Sequence, residues 1–238
     1  MADDVPAYPS QWESDVVLLD GGTAHLRPMR RDDGDQMLGL YSRLSDESLY
    51  LRFFSPVSPP TARDLEHLTD IDYERRFALV AELGDEVVAV ARYARIGGVD
   101  DEAEVAFTVE DEQQGRGLGA LMLEHLAAIA RERGIRRFVA MTMVNNTRML
   151  NLFADAGFEI HRSFEGAGTV DVSFDIAPTA ASVGAQRRRE HVSEAASMAR
   201  LLAPSSVAVV GASRRKGTIG TESCATCLPA TSRDRSTP

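Results

Sequence analysis

The residues of this chain best spaced for chemistry lie in the stretch "EDEQQGRGLGALMLEHL", residues 110–126. Gly115, Gly117 and Gly119 stand at alternate positions and run directly into an apolar-periodic segment. Glycine at the entrance to a helix has a specific use. The first helical turn leaves backbone N–H groups without partners and carries partial positive charge, so it draws an anion. Glycine lets a phosphate approach that backbone where a Cβ would block it. Two spacings compete for the loop. "GRGLGA" fits the dinucleotide pattern G-x-G-x-x-A, which requires the glycines directly after a strand and an acid about 20 residues on. Here Asp111 to Gln114 intervene, and the next strand ends Met143, Val144, Asn145 with no acid. The alternative, Q-x-x-G-x-G, is met by Gln114, Gly117 and Gly119.

Other chemistries are poorly supplied. The cysteines, Cys224 and Cys227, form a single C-x-x-C near the end, without the second pair or histidines a zinc site needs. His25, His67, His125, His161 and His191 are scattered without ligand spacing, so no metal is expected. Of 26 lysines and arginines only Lys216 is a lysine, a bias that says little about chemistry. A net charge of −10 disfavours general nucleic-acid binding. No apolar run approaches the ~20 residues of a membrane span, and "MADDVPAYPS" is no signal peptide, so a cytoplasmic location is expected.

The elements that must position the loop follow from periodicity. "TAHLRPMR" alternates as a strand, and "RDDGDQMLGLYSRL" and "DESLYLRFF" have helical spacing. "SPPTARDLEHL" reads as a loop feeding a helix, with Pro60 and Thr61 at its start. "RFALVAELGDEVVAVARYARI" reads as a hairpin turning at Gly84–Asp85. "AEVAFTV" is a further strand whose alternation places Glu104, Ala106 and Thr108 on one face and Val105, Phe107 and Val109 on the other. A helix from Leu118 to Arg133 is closed by Gly134, "RFVAMTMV" is a strand, and "NNTRMLNLFADAG" is a second amphipathic helix. "FEIHRSF" and "TVDVSFDI" form a closing antiparallel pair. The order is that of a mixed α/β domain.

With Q-x-x-G-x-G preceding a helix and "NNTRMLNLFADAGFE" after the next strand, residues 23–177 resemble the GNAT acetyltransferase superfamily. "LSDESLYLRFFSP" and "LTDIDYERRFALVAE" are similar to the GNAT domain of bacterial protein lysine acetyltransferases. The resemblance implies a central mixed, mostly antiparallel sheet of six to seven strands with helices on both faces. It implies acetyl-CoA as cosubstrate, with the pyrophosphate on the amides of Gln114, Gly115, Arg116, Gly117, Leu118, Gly119 and Ala120. The backbone of Phe107 and Val109 would pair with the pantetheine arm, and Asn146 would meet the cofactor near its thiol end. Glu104 matches the glutamate that many relatives use as general base. Acetylating a lysine requires removal of a proton from an amine of pKa near 10.4. Where many relatives carry a tyrosine that protonates the departing thiolate, this chain has Phe153. The acceptor implied is a protein lysine, such as one on an acyl-CoA synthetase. Alternatives are a small-molecule amine, or a module that senses acetyl-CoA without turnover.

The expected organisation is an N-terminal arm (1–22), the acetyltransferase domain (23–178) and a helical connector (179–203). "PSSVAVVGASRRKGTIG" (204–220) resembles the first strand and phosphate turn of the CoA-binding domain of ADP-forming acyl-CoA synthetases. Residues 221–238 lack the helix that should follow and read as a disordered, frame-shifted tail of a truncated longer protein.

Overall fold

A computed structural model describes residues 7–54, 61–164, 168–203 and 219. The expected synthetase-like segment and the tail, Cys224 and Cys227 included, lie outside the described residues apart from Ile219. The chain divides into two compact units, Met1–Met198 and Ala199–Pro238.

The first unit is built on one eight-stranded sheet. In chain order its elements are β1 (Ser14–Val17), β2 (Thr23–Pro28), α1 (Gly34–Ser42), α2 (Asp46–Phe53), α3 (Ala62–Thr69), β3 (Arg76–Leu83), β4 (Glu86–Arg95) and β5 (Glu102–Val109). There follow α4 (Leu118–Glu132), β6 (Arg137–Met143), α5 (Thr147–Asp155), β7 (Ile160–Phe164), β8 (Thr169–Asp175) and α6 (Ala180–Leu202). The strand order is β1-β2-β3-β4-β5-β6-β8-β7. Every neighbouring pair is antiparallel except β5 and β6. The class is the one the resemblance implies, with one strand beyond the six to seven expected.

The extra strand, β1, comes from residues read as a loose arm. Val16 and Leu18 are buried beside Ala24 and Leu26, and the Leu18 amide donates to the Gly22 carbonyl at 2.8 Å. That burial fixes a segment of only four strand residues to the sheet edge.

Helices cover both faces. On one, Phe107 of β5 meets Phe153 of α5 at 6.1 Å between ring centroids, and Phe153 meets Phe174 of β8 at 5.0 Å. Leu118, Met122, Leu123, Leu126 and Ile129 of α4 are buried against the same side, because the apolar residues recur at helical spacing. On the other face Met37, Leu40 and Tyr41 of α1 are buried against β4. Helices begin where caps are supplied. The Ser45 hydroxyl accepts from the Ser48 amide at α2, and Thr61 with Asp64 forms a capping box at α3.

Candidate active site

The site begins where the sheet splits. β5 and β6 pair only through Glu102–Arg137, Ala103–Phe138 and Glu104–Val139. Beyond Glu104, β5 stays with β4 as far as Val109 while β6 stays with β8 as far as Met143. The two strands therefore diverge, and backbone groups on the inner edge of β5 lose their strand neighbour. The flanking bonds identify which ones. The Glu110 amide donates to the Val88 carbonyl (2.9 Å) and the Ile96 amide to the Glu102 carbonyl (3.2 Å). In an antiparallel ladder this register turns the even-numbered residues of β5 toward β4 and the odd-numbered ones toward the gap. Phe107 and Val109 thus present peptide groups to the cleft. The Val109 carbonyl accepts from Gln114 Nε2 at 3.1 Å, which ties the strand end to the glycine loop.

The loop sits at the mouth of the split. The Gln114 amide is engaged by the Asp111 carbonyl at 3.3 Å, and Leu121 is the first residue to donate helically, to Gly117 at 3.1 Å. Among the described residues no protein acceptor is found for the six amides from Gly115 to Ala120. Gly117, at φ 88°, turns the chain into α4. The loop is braced by residues 19 and 20, which lie in the segment expected to be an N-terminal arm. The Leu19 amide donates to the Arg116 carbonyl at 3.0 Å, and Asp20 takes the Arg116 guanidinium at 2.8 Å. A Cβ on Gly117 would stand 2.9 Å from Leu19 Cγ.

Split and loop open into one cavity of about 1000 Å³. Glu104, Phe107, Val109, Gln114, Gly115, Gly117, Leu118, Gly119, Ala120 and Asn146 all line it. Arg116 does not, since its side chain is turned to Asp20 and Gln113. Asn146 is largely buried, and its Oδ1 accepts from the Met149 amide at 3.1 Å as the cap of α5. Glu104 is exposed at the point of divergence. Phe153, fully buried among Phe107 and Phe174, is a core residue with no proton to give.

Residues missed in the sequence complete the lining. Thr108 of β5 and Thr142 of β6 are 6% and 2% exposed, and neither hydroxyl has a partner among the described residues. Buried unsatisfied hydroxyls are uncommon, and here both belong to residues that line the cavity. No apolar pattern singles out a threonine within a strand, so spacing gave no signal. Arg52 of α2 also lines the cavity. Behind it Arg92 is pushed below the usual arginine value, by burial first and then by the charge of Arg52, while Glu104 acts in the opposite direction. Among the described residues no cluster of three or more His, Cys, Asp or Glu is placed to hold a metal. No described helix is long and apolar enough to cross a membrane.

A split parallel pair, a glycine turn into a helix and six bare amides form a cleft that offers an extended strand edge and, at its mouth, a place for an anion. The chain belongs to the GNAT family of acetyltransferases, whose family model matches residues 46–158. These enzymes are acyltransferases that use acetyl-CoA as cosubstrate. The chain is 31% identical over 145 residues to acetyltransferase PA5475 of Pseudomonas aeruginosa, covering 59% of this chain and 77% of that one. It is 36% identical over 165 residues to acetyltransferase Pat of Mycolicibacterium smegmatis, covering 68% of this chain. It spans about half (49%) of that relative's length. Among solved structures, the GNAT domain of S. lividans PAT superposes with a TM-score of 0.68 at 48% identity, covering 71% of this chain and 99% of that domain.

Proposed function

We propose that this chain transfers an acetyl group from acetyl-CoA to the side-chain amine of a protein lysine, with Glu104 as general base. The observation that carries the reading is the position of Glu104. It is the last residue of β5 paired with β6, it is exposed, and it lines the cavity that also holds the bare loop amides. The likeness to the Pat relatives supports a protein acceptor.

In this reading the thioester supplies the acetyl group and a thiolate leaving group. The amides from Gly115 to Ala120 hold the pyrophosphate, and the peptide groups of Phe107 and Val109 align the pantetheine arm along β5. Asn146 stands at the start of α5, toward the thiol end. Glu104 takes the proton from the incoming amine, directly or through one water, as nitrogen bonds to the acetyl carbon and the carbon–sulfur bond breaks. With Phe153 in the core, the thiolate takes its proton from solvent, which a thiol of pKa ~8.5 permits.

Glu104→Gln tests the base. Acetyl-CoA affinity should stay near wild type while turnover on a lysine-bearing acceptor falls by roughly 10²–10⁴-fold. The loss should shrink as pH nears the amine's own pKa. Turnover within twofold of wild type at neutral pH would remove Glu104 from the role. The buried Phe153 favours a second reading, a non-catalytic module that senses acetyl-CoA. Binding of acetyl-CoA without release of thiol in the presence of acyl-CoA synthetase would select it.

A further inference from the structure

Helix α6, a connector in sequence, forms a wall of the cavity. Ala185, Arg188, Arg189 and Val192 line it together with Arg148, Asn151, Leu152 and Asp155 of α5. The helix is seated closely. A Cβ at Gly157 would stand 2.7 Å from the Ala181 backbone, and one at Gly21 would stand 2.6 Å from the backbone of Ala196 and Ser197. Between these seats Arg189 pairs with Glu124 of α4, and its guanidinium also donates to the Asp155 carbonyl at 3.4 Å. The result is a groove between α5 and α6 that opens from the first turn of α4, where Gly119 and Ala120 lie.

The charges of this groove are unbalanced. Arg189, half-buried, lies against Glu124. Arg148 bonds only the neutral amide oxygen of Gln114, and among the described residues no carboxylate lies within ion-pair reach of Arg148 or Arg188. Both arginines are exposed on the rim, one from each wall, and Asp155 is the acid that lines the groove between them. Val192, half exposed, adds an apolar contact. Two guanidiniums without a carboxylate partner, both lining one groove, suit a phosphate monoester, which carries nearly two charges at neutral pH and accepts paired N–H donors.

We propose that the groove between α5 and α6 takes the adenosine end of the cofactor, with Arg148 and Arg188 on its 3′-phosphate. This rests on the acetyl-CoA reading above and adds the connector helix to the binding site. The test compares CoA with dephospho-CoA, which lacks only that phosphate, by calorimetric titration of the full chain. Wild type should bind dephospho-CoA about ten- to a hundredfold more weakly than CoA. Arg188→Ala and Arg148→Ala should each weaken CoA about tenfold and leave dephospho-CoA within twofold. Both side chains are exposed, so the fold should survive either change. Equal wild-type affinity for the two ligands would overturn the inference and leave the acetyl-CoA reading intact. Variants that weaken both ligands alike, or neither, would also overturn it. A wild-type chain that binds neither ligand would remove the acetyl-CoA reading and this inference together.

Discussion

At the scale of single residues, the glycines of the loop have unequal duties. Gly117 combines a φ of 88° with the Leu19 side chain at 2.9 Å from any Cβ, whereas Gly119 has ordinary helical backbone and meets only Leu152 methyls at 3.4–3.5 Å. Gly117 is therefore demanded by the turn itself as well as by any ligand. Gly117→Ala should cost at least about 1–2 kcal/mol of stability in denaturant unfolding without cofactor, from the left-handed backbone alone. An unchanged midpoint would mean the turn relaxes. The two unpartnered threonines make the opposite prediction. Thr142→Val removes a buried hydroxyl without changing shape, so the free protein should be as stable or slightly more so. If that hydroxyl meets a polar atom of the cofactor, acetyl-CoA affinity should drop about five- to tenfold in calorimetry. An unchanged affinity would assign Thr142 to the core.

At the scale of elements, Asp111 links α2 to the turn that leads into the loop. Its carboxylate accepts from the Ser45 amide (2.8 Å), the Ser45 hydroxyl (3.0 Å) and the Ser48 hydroxyl (2.7 Å). Burial works to raise its pKa, but these hydrogen bonds outweigh it and hold the group below its ordinary 3.8. A depressed carboxylate stabilises the fold at pH above its unfolded value and loses that contribution as pH falls through the folded one. Asp111→Asn should thus be less stable than wild type at neutral pH, with the difference fading below about pH 4. A pH series of thermal unfolding checks it. Most of these elements were legible in sequence because α1 to α5 and β2 to β8 carry clear periodicity and caps. β1 was not, because "SDVV" is too short to alternate convincingly and its burial depends on β2. The packing of α6 was not legible either. Its described buried residues are only Ala185 and Ser193, and the close approach depends on glycines far away in the chain. Of the site, the glycine loop could be read locally, and Glu104 through the family resemblance. The open edge of β5, the unpartnered hydroxyls and the arginines of the α5–α6 groove depend on where strands part.

At the scale of the first unit, the sheet and α1 are joined by a buried ion-pair network. Arg27 of β2, 5% exposed, makes two bonds of 2.8 Å to Asp33 before α1 and reaches Glu82 of β3 at 2.7 Å. Burial works to lower its pKa, but the two carboxylates raise it well above the usual arginine value. Arg27→Met would leave two acids without their counter-charge and should cost about 3–5 kcal/mol. Adding Asp33→Asn and Glu82→Gln should recover part of that loss. Chemical denaturation of the single and the triple variant measures both steps, and a single variant as stable as wild type would show that water replaces the guanidinium.

The two glycine seats of α6 act as a gauge. They grip the helix at Ala181–Ser182 and at Ala196–Ser197, a span of about 22 Å at the usual helical rise. A rod held at both ends can change its surface freely but not its length. Each added residue would advance the helix by about 1.5 Å and swing everything beyond it by about 100°. Substitutions at exposed positions such as Glu190 should therefore be silent. One alanine inserted after Glu190 should force a choice between the seats, lowering the melting temperature or releasing the far end of the helix.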